Sequence, residues 1–112
     1  MSPLLLWLAT LLGASGVIAG AIESHVFESG SSAMEIGVRY QLIHAVAILI
    51  VALVPERVNR WSGYIFSIGI LLFSGSLYGI AWGGPVWLGP LTPLGGVLLV
   101  AGWLLLPWKQ EN

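Results

Sequence analysis

Apolar and polar positions in this chain segregate into whole segments. Four stretches, 3–22, 38–54, 62–82 and 93–108, contain no Asp, Glu, Lys or Arg except Arg39 near one edge. An uncharged apolar run of about 17 to 25 residues is what a helix needs to cross a hydrocarbon core roughly 30 Å thick, and only a helix satisfies its own backbone there. The pattern predicts an all-α polytopic membrane protein, a compact bundle of four transmembrane helices forming one domain over residues 1–112. The first stretch contains Ala19-Gly20-Ala21, which fits a signal-peptidase pattern. However, Met1-Ser2-Pro3 lacks Lys and Arg and the apolar run exceeds a usual signal core, so it reads as a retained first helix.

Composition agrees with lipid as the main solvent. The chain is 57% hydrophobic and only 8% charged, too little polar surface to coat a water-soluble globule. There is no cysteine, so disulfides and thiolate metal sites are excluded, and a net charge of -1 leaves no basic patch for nucleic acid. Membrane lipids are the expected surroundings, with a second copy or other membrane proteins as possible partners.

The few charges orient the bundle. Arg57 and Arg60 in the 55–60 loop, with Lys109 beyond the last stretch, place that end and both termini in the cytoplasm by the positive-inside rule. The 23–37 loop then faces outward with Glu23, Glu28 and Glu35, and the uncharged 83–92 loop does the same. Arg39 lies on the outer side four residues after Glu35, with which it can pair on a helical turn. Trp7, Trp61, Tyr64 and Trp108 fall near inner ends and Trp82 and Trp87 near outer ends, as interfacial belts do. The fourth helix is predicted to start with Thr92 as N-cap and Pro93 at its first position. At about 16 residues, or ~24 Å, it is short for a bilayer, so residues 85–91 are expected to dip into the interface.

Small residues recur at four-residue spacing, at Gly16, Gly20 and Ser24 and again at Gly75, Gly79 and Gly83. In lipid no hydrophobic force drives helices together, so such stripes serve close backbone approach. We expect Gly75 and Gly79 at a close helix contact.

The polar residues gather toward the outer side. Tyr40, Gln41 and His44 share one face of the second helix. Counted at ~1.5 Å per residue, His44 lies roughly 9 Å below that helix's outer end and Tyr78 roughly 6 Å below the end of the third. Ser74 and Ser76 lie a turn deeper, while Glu23, His25 and Thr92 border the same region. The inner half is almost wholly apolar. Buried polar groups in membrane segments face the bundle interior or a cavity, so His25, Tyr40, Gln41, His44, Ser74, Ser76, Tyr78 and Thr92 form a candidate polar pocket. The plain alternative is interhelical hydrogen bonding at around 0.6 kcal/mol per link. His44 in particular is expected to point inward and share a network with Tyr40, Gln41, Ser74 or Tyr78. The two histidines carry no HxxxH, CxxCH or ExxH spacing, so no metal site, cofactor or catalytic residue is assigned.

The segments Gly20-Ala21-Ile22-Glu23-Ser24-His25, Tyr40-Gln41-Leu42-Ile43-His44, Leu72-Phe73-Ser74-Gly75-Ser76-Leu77-Tyr78 and Thr92-Pro93-Leu94-Gly95-Gly96, with Ala101-Gly102-Trp103, resemble the YgdD/YwdK family of small inner-membrane proteins. The resemblance runs through all four helices, and the FSGSLY and TPxGG motifs stand in order. It implies a four-helix protein of the bacterial inner membrane whose function is unknown, and it adds Gly95 and Gly96 to the packing positions. The chain departs from the family pattern at Ile22, Glu23 and Ser24. The leading functional reading is a non-enzymatic accessory or interaction protein with a polar pocket in the outer half. Alternatives are a small oligomeric transporter or channel, opposed by the lack of a mid-membrane acid, and a haem- or quinone-binding redox protein using His25 and His44. Weaker still is a lipid-modifying enzyme built on Ser74, Ser76 and His44, which lack a clear third partner.

Overall fold

The computed structural model describes residues 1–27 and 32–109. Helix α1 spans Pro3–Val26, α2 Ser32–Leu53, α3 Trp61–Ala81 and α4 Leu91–Leu105, with a short 3-10 turn at Val86–Leu88 before α4. The first three helices, and the 3-10 turn taken with α4, are each long and apolar enough to cross a membrane. Glu28 and Ser31, expected in the outer loop, lie outside the described residues.

Local chemistry sets the ends. The Ser2 hydroxyl accepts from the Leu5 N–H at 3.4 Å while Pro3 occupies the first helical position, where a missing N–H has no cost. α3 closes in a Schellman motif: the Gly84 N–H bonds the Gly79 carbonyl and the Gly83 N–H that of Ile80, with Gly83 at φ 81°, a left-handed conformation that glycine adopts without strain. At the opposite end of the molecule Asn59 joins three segments. Its side-chain oxygen Oδ1 accepts from the Trp61 N–H at 3.0 Å, its side-chain amide nitrogen donates to the Trp108 carbonyl at 2.6 Å, and its backbone N–H bonds the Leu106 carbonyl.

Several predicted boundaries require correction. The 23–37 loop is largely helical, because α1 runs on to Val26 and α2 begins at Ser32 instead of 38. Glu35 and Arg39 explain how charges are accommodated there, pairing at 2.9 Å on one helical turn. α3 is shifted by one residue at each end, and α4 covers 91–105 instead of 93–108. Pro107 has no N–H with which to prolong α4, and Asn59 holds the carbonyls beyond it. Thr92 is not an N-cap: α4 has no side-chain cap, and the Thr92 hydroxyl is instead bonded to that of Ser76.

The helices pack in chain order, α1 on α2, α2 on α3 and α3 on α4. α1 and α3 barely touch, and neither the backbones of α1 and α4 nor those of α2 and α4 approach each other. The bundle, 49 × 26 × 18 Å, is therefore wider in one direction than the other. Its apolar core lies toward the end carrying the described N-terminus, built from Leu5 and Ala9 of α1, Ile48, Val51 and Ala52 of α2, Phe66 and Ile70 of α3, and Leu99 of α4. That half is less apolar than expected, since Asn59, Ser62 and Ser67 are also buried in it.

The tightest backbone approach joins α3 to α4. A Cβ on Gly95 would stand against the Phe73 backbone and 2.9 Å from the Gly69 carbonyl oxygen. Gly16 meets Leu42 of α2, Gly20 lies near Val38, and Gly96 touches the Phe73 ring. The expected contact at Gly75 and Gly79 is not present as a helix pair. Gly75 faces open space, and Gly79 lies under the Leu88 side chain of the 3-10 turn. With Gly83 serving as the cap, the three glycines of that stripe do three different things.

Candidate functional site

Gln41 is buried on α2, and both the nitrogen and the oxygen of its amide are engaged. Its nitrogen donates to the Leu12 carbonyl and the Ser15 hydroxyl of α1, both at 2.8 Å, and its oxygen accepts from the Tyr78 hydroxyl of α3 at 2.6 Å. One side chain thus ties three helices together. Tyr78 reaches it because side chains on α3 lean toward that helix's N-terminus, which carries the phenol inward past Gly37. The close passage needs a residue without a Cβ, since a Cβ on Gly37 would lie 2.6 Å from the Tyr78 ring. One turn before Tyr78, the Ser74 hydroxyl donates to the Gly37 carbonyl at 2.7 Å.

His44 belongs to a separate cluster. Its Nε2 lies 2.9 Å from the Trp103 indole nitrogen of α4 and its Nδ1 2.8 Å from the Tyr40 carbonyl. An indole N–H can only donate, so Nε2 is the acceptor and Nδ1 carries the proton, which it donates to Tyr40. The expected inward orientation and link to Tyr40 are present, the latter through the Tyr40 carbonyl, whereas His44 makes no bond to Gln41, Ser74 or Tyr78 and pairs instead with Trp103. The cause is the longer α2: twelve residues from Ser32, His44 lies ~18 Å along its helix instead of ~9 Å. Trp103 lies the same twelve residues into α4, at matching depth. The Phe66 ring packs on both, 5.3 Å from His44 and 5.2 Å from Trp103. The Tyr40 side chain is part-exposed and contributes its ring, 4.8 Å from Phe73.

The remaining candidates fall apart from these. Ser76 and Thr92 bond each other between α3 and the start of α4. His25 is exposed in the last turn of α1, where its Nδ1 contacts the Ala21 carbonyl at 2.8 Å and the Ser24 hydroxyl at 3.1 Å. It therefore does not join the other pocket residues, and no contact brings it to His44. With both His44 nitrogens engaged inside the protein, a metal or haem ligand at that position would have to break one of two hydrogen bonds. Among the described residues no three His, Cys, Asp or Glu side chains are grouped to share a metal ion.

Where α1 and α3 diverge, they leave a groove of about 350 Å³. Leu12, Ser15, Ala19 and Ile22 form one wall and Ile70, Ser74, Gly75 and Tyr78 the other, with Gln41 as its floor. Reasoning from sequence missed two partners in these networks, Ser15 and Trp103. Ser15 sits beside Gly16 on the face turned to α2, and Trp103 becomes legible once helix ends are placed correctly.

The chain matches the family model described as "Protein of unknown function (DUF423)" over residues 19–96. It is 40% identical over 102 residues to a UPF0382 membrane protein of Haemophilus influenzae, covering 85% of this chain and 80% of that protein. It is 35% identical over 114 residues to the UPF0382 inner membrane protein YgdD of Escherichia coli, covering 94% and 87%. Against the UPF0382 membrane protein YwdK of Bacillus subtilis it is 33% identical over 104 residues, covering 88% and 83%. No solved structure matches. The chain belongs to the DUF423 family.

Proposed function

We propose that this member of the DUF423 family is a non-enzymatic accessory protein of the bacterial inner membrane, with both termini cytoplasmic, whose α1–α3 groove receives a transmembrane helix of another membrane protein. The observation that carries this reading is the groove itself, a recess of about 350 Å³ between two helices that scarcely touch, with Gly75 open to it. Small groups on its walls, Ser15, Ala19 and Gly75, allow a helix backbone to approach closely, which is how helices associate in lipid. The polar floor supports docking over ligand chemistry, because every donor and acceptor of the Gln41 amide already has a partner within the chain. A fully satisfied network orders a surface without offering groups to a polar substrate. The E. coli relative's name places that protein in the inner membrane, and the positive-inside rule supplies the orientation.

The test is photo-crosslinking in cells with a benzophenone amino acid at Gly75 and, as control, at Val97 on the exposed face of α4. A discrete adduct with a second membrane protein at position 75, absent at position 97, is the expected result. Adducts only with lipid, or only with a second copy of this chain, would overturn the reading.

A further inference from the structure

A second recess, of about 430 Å³, opens at the end of the molecule that carries the described termini. It lies between the starts of α1 and α3 and is lined by residues 1–4 together with Pro55, Arg60, Trp61 and Tyr64. Three of these side chains bring donors with no acceptor in the protein among the described residues: the Arg60 guanidinium, the Trp61 indole N–H and the Tyr64 hydroxyl. The one ion pair among the described residues, Glu35–Arg39, is at the opposite end. The two aromatic rings sit 5.5 Å apart, so the indole and the phenol belong to one surface. The backbone at the start of α3 does not compete for a ligand, since the Trp61 and Ser62 N–H groups are both taken by Asn59. Arg57 and Lys109 are further cations at this end, where Glu56 is the sole acid among the described residues.

We propose that this recess binds the phosphate of an anionic phospholipid in the leaflet bordering the termini. The guanidinium meets two phosphate oxygens, a geometry that suits Arg better than any other side chain. The indole N–H and phenol O–H supply further donors at the depth where Trp and Tyr gather in membrane proteins. Leu4 and Pro3 form an apolar wall along which the start of an acyl chain runs. That wall favours an amphiphile over free phosphate, and the Arg60 guanidinium in the recess favours an anionic headgroup over one bearing its own positive charge. The proposal depends on this end lying in a headgroup layer and is independent of any partner in the α1–α3 groove.

The experiment is native mass spectrometry of the full chain from mixed micelles titrated with phosphatidylglycerol or phosphatidylcholine of the same acyl length. The first retained phosphatidylglycerol is expected to bind about tenfold more tightly, because both lipids carry the phosphate but phosphatidylcholine sets its own quaternary ammonium against the Arg60 guanidinium. Arg60→Gln should abolish that preference, while Arg57→Gln, which removes the same charge outside the recess, should keep it. Trp61→Phe, which retains the ring and loses the donor, should weaken it in part. Arg60 is exposed and caps nothing with its side chain, and unchanged helical circular dichroism verifies that each variant is folded. Equal loss with Arg57→Gln would show only diffuse attraction, and retention in Arg60→Gln would refute the site. Displacement of the lipid by millimolar inorganic phosphate would mean that the recess recognises a free anion.

Discussion

Replacing Gly95 by Ala probes the closest seam in the molecule, and its cost follows from what surrounds the added methyl. That carbon would lie 2.8 Å from the Phe73 Cα, closer still to the Phe73 nitrogen, and 2.9 Å from the Gly69 carbonyl oxygen. Comfortable separations are about 3.5–4.0 Å. All three atoms are backbone, so no rotamer change relieves the clash and α4 must retreat by something near an ångström. A gap of about 0.5–1 Å forfeits a quarter to a half of the contact energy of the atoms it separates. Overpacking of this kind costs about 1–3 kcal/mol. Gly75→Ala is the matched control, since its methyl meets nothing within 4 Å. Both substitutions gain the same helix propensity, roughly 0.5–1 kcal/mol, which cancels in their difference. Gly95→Ala should therefore be less stable than Gly75→Ala by about 1–3 kcal/mol, with Gly75→Ala at or above the parent. Reversible unfolding in mixed micelles, followed by helical circular dichroism, measures both. Equal stabilities would refute the reasoning that this seam is set by backbone contact.

Three further outcomes are expected. A double-mutant cycle of Gln41→Leu with Tyr78→Phe should show a coupling of about 0.6–1.7 kcal/mol, the range for hydrogen bonds between membrane helices; zero coupling would mean that the phenol does not spend its hydrogen bond on Gln41. Asn59→Ala should destabilise the bundle by about 1–2 kcal/mol through loss of the Trp61 N–H acceptor and the Trp108 link, and Asn59→Asp, which keeps the acceptor, should restore part of it; wild-type stability in Asn59→Ala would show the linkage to be idle. Single thiols at exposed Glu56 and Val86 should react with an impermeant maleimide on opposite sides of the cell membrane, Val86 from outside, and the reverse pattern would invert the topology.

The four spans were legible because lipid enforces a coarse rule: an uncharged apolar segment must become a helix. Their ends were not, because that rule ignores charges that satisfy one another. Glu35 and Arg39 look like loop residues in a hydropathy pattern, yet as an i,i+4 pair they extend α2 by six residues. That displacement misplaced His44 by about 9 Å and hid Trp103 as its partner. Four-residue spacing likewise identifies glycines that share a helix face without saying what the face meets. The Gly75, Gly79 and Gly83 stripe meets open space, a leucine side chain and its own helix terminus in turn. Thr92 before Pro93 is a sound helix-start signal in isolation, but Pro90 lets the turn begin earlier and leaves the threonine hydroxyl to Ser76.

The same amide that saturates the polar network also sets the width of the groove. α1 touches α3 only marginally, so Gln41, bonded to Leu12 and Ser15 on one side and to Tyr78 on the other, is the polar strut holding the two walls in register. Gln41→Leu removes that strut while keeping similar side-chain volume, leaving the Tyr78 hydroxyl without its acceptor and free to turn toward the groove, while the Ser15 hydroxyl keeps its bond to the Leu12 carbonyl. If an apolar transmembrane helix docks there, an unpaired phenol hydroxyl and a loosened wall oppose it, and crosslinking from Gly75 to the partner should fall severalfold. The recess at Arg60 shares no residue with this network, so the preference for anionic lipid should be unchanged in the same variant. Undiminished crosslinking from Gly75 in a folded Gln41→Leu protein would show that the partner, if it docks there, is indifferent to the groove's shape, and the structural argument for docking would fall with it.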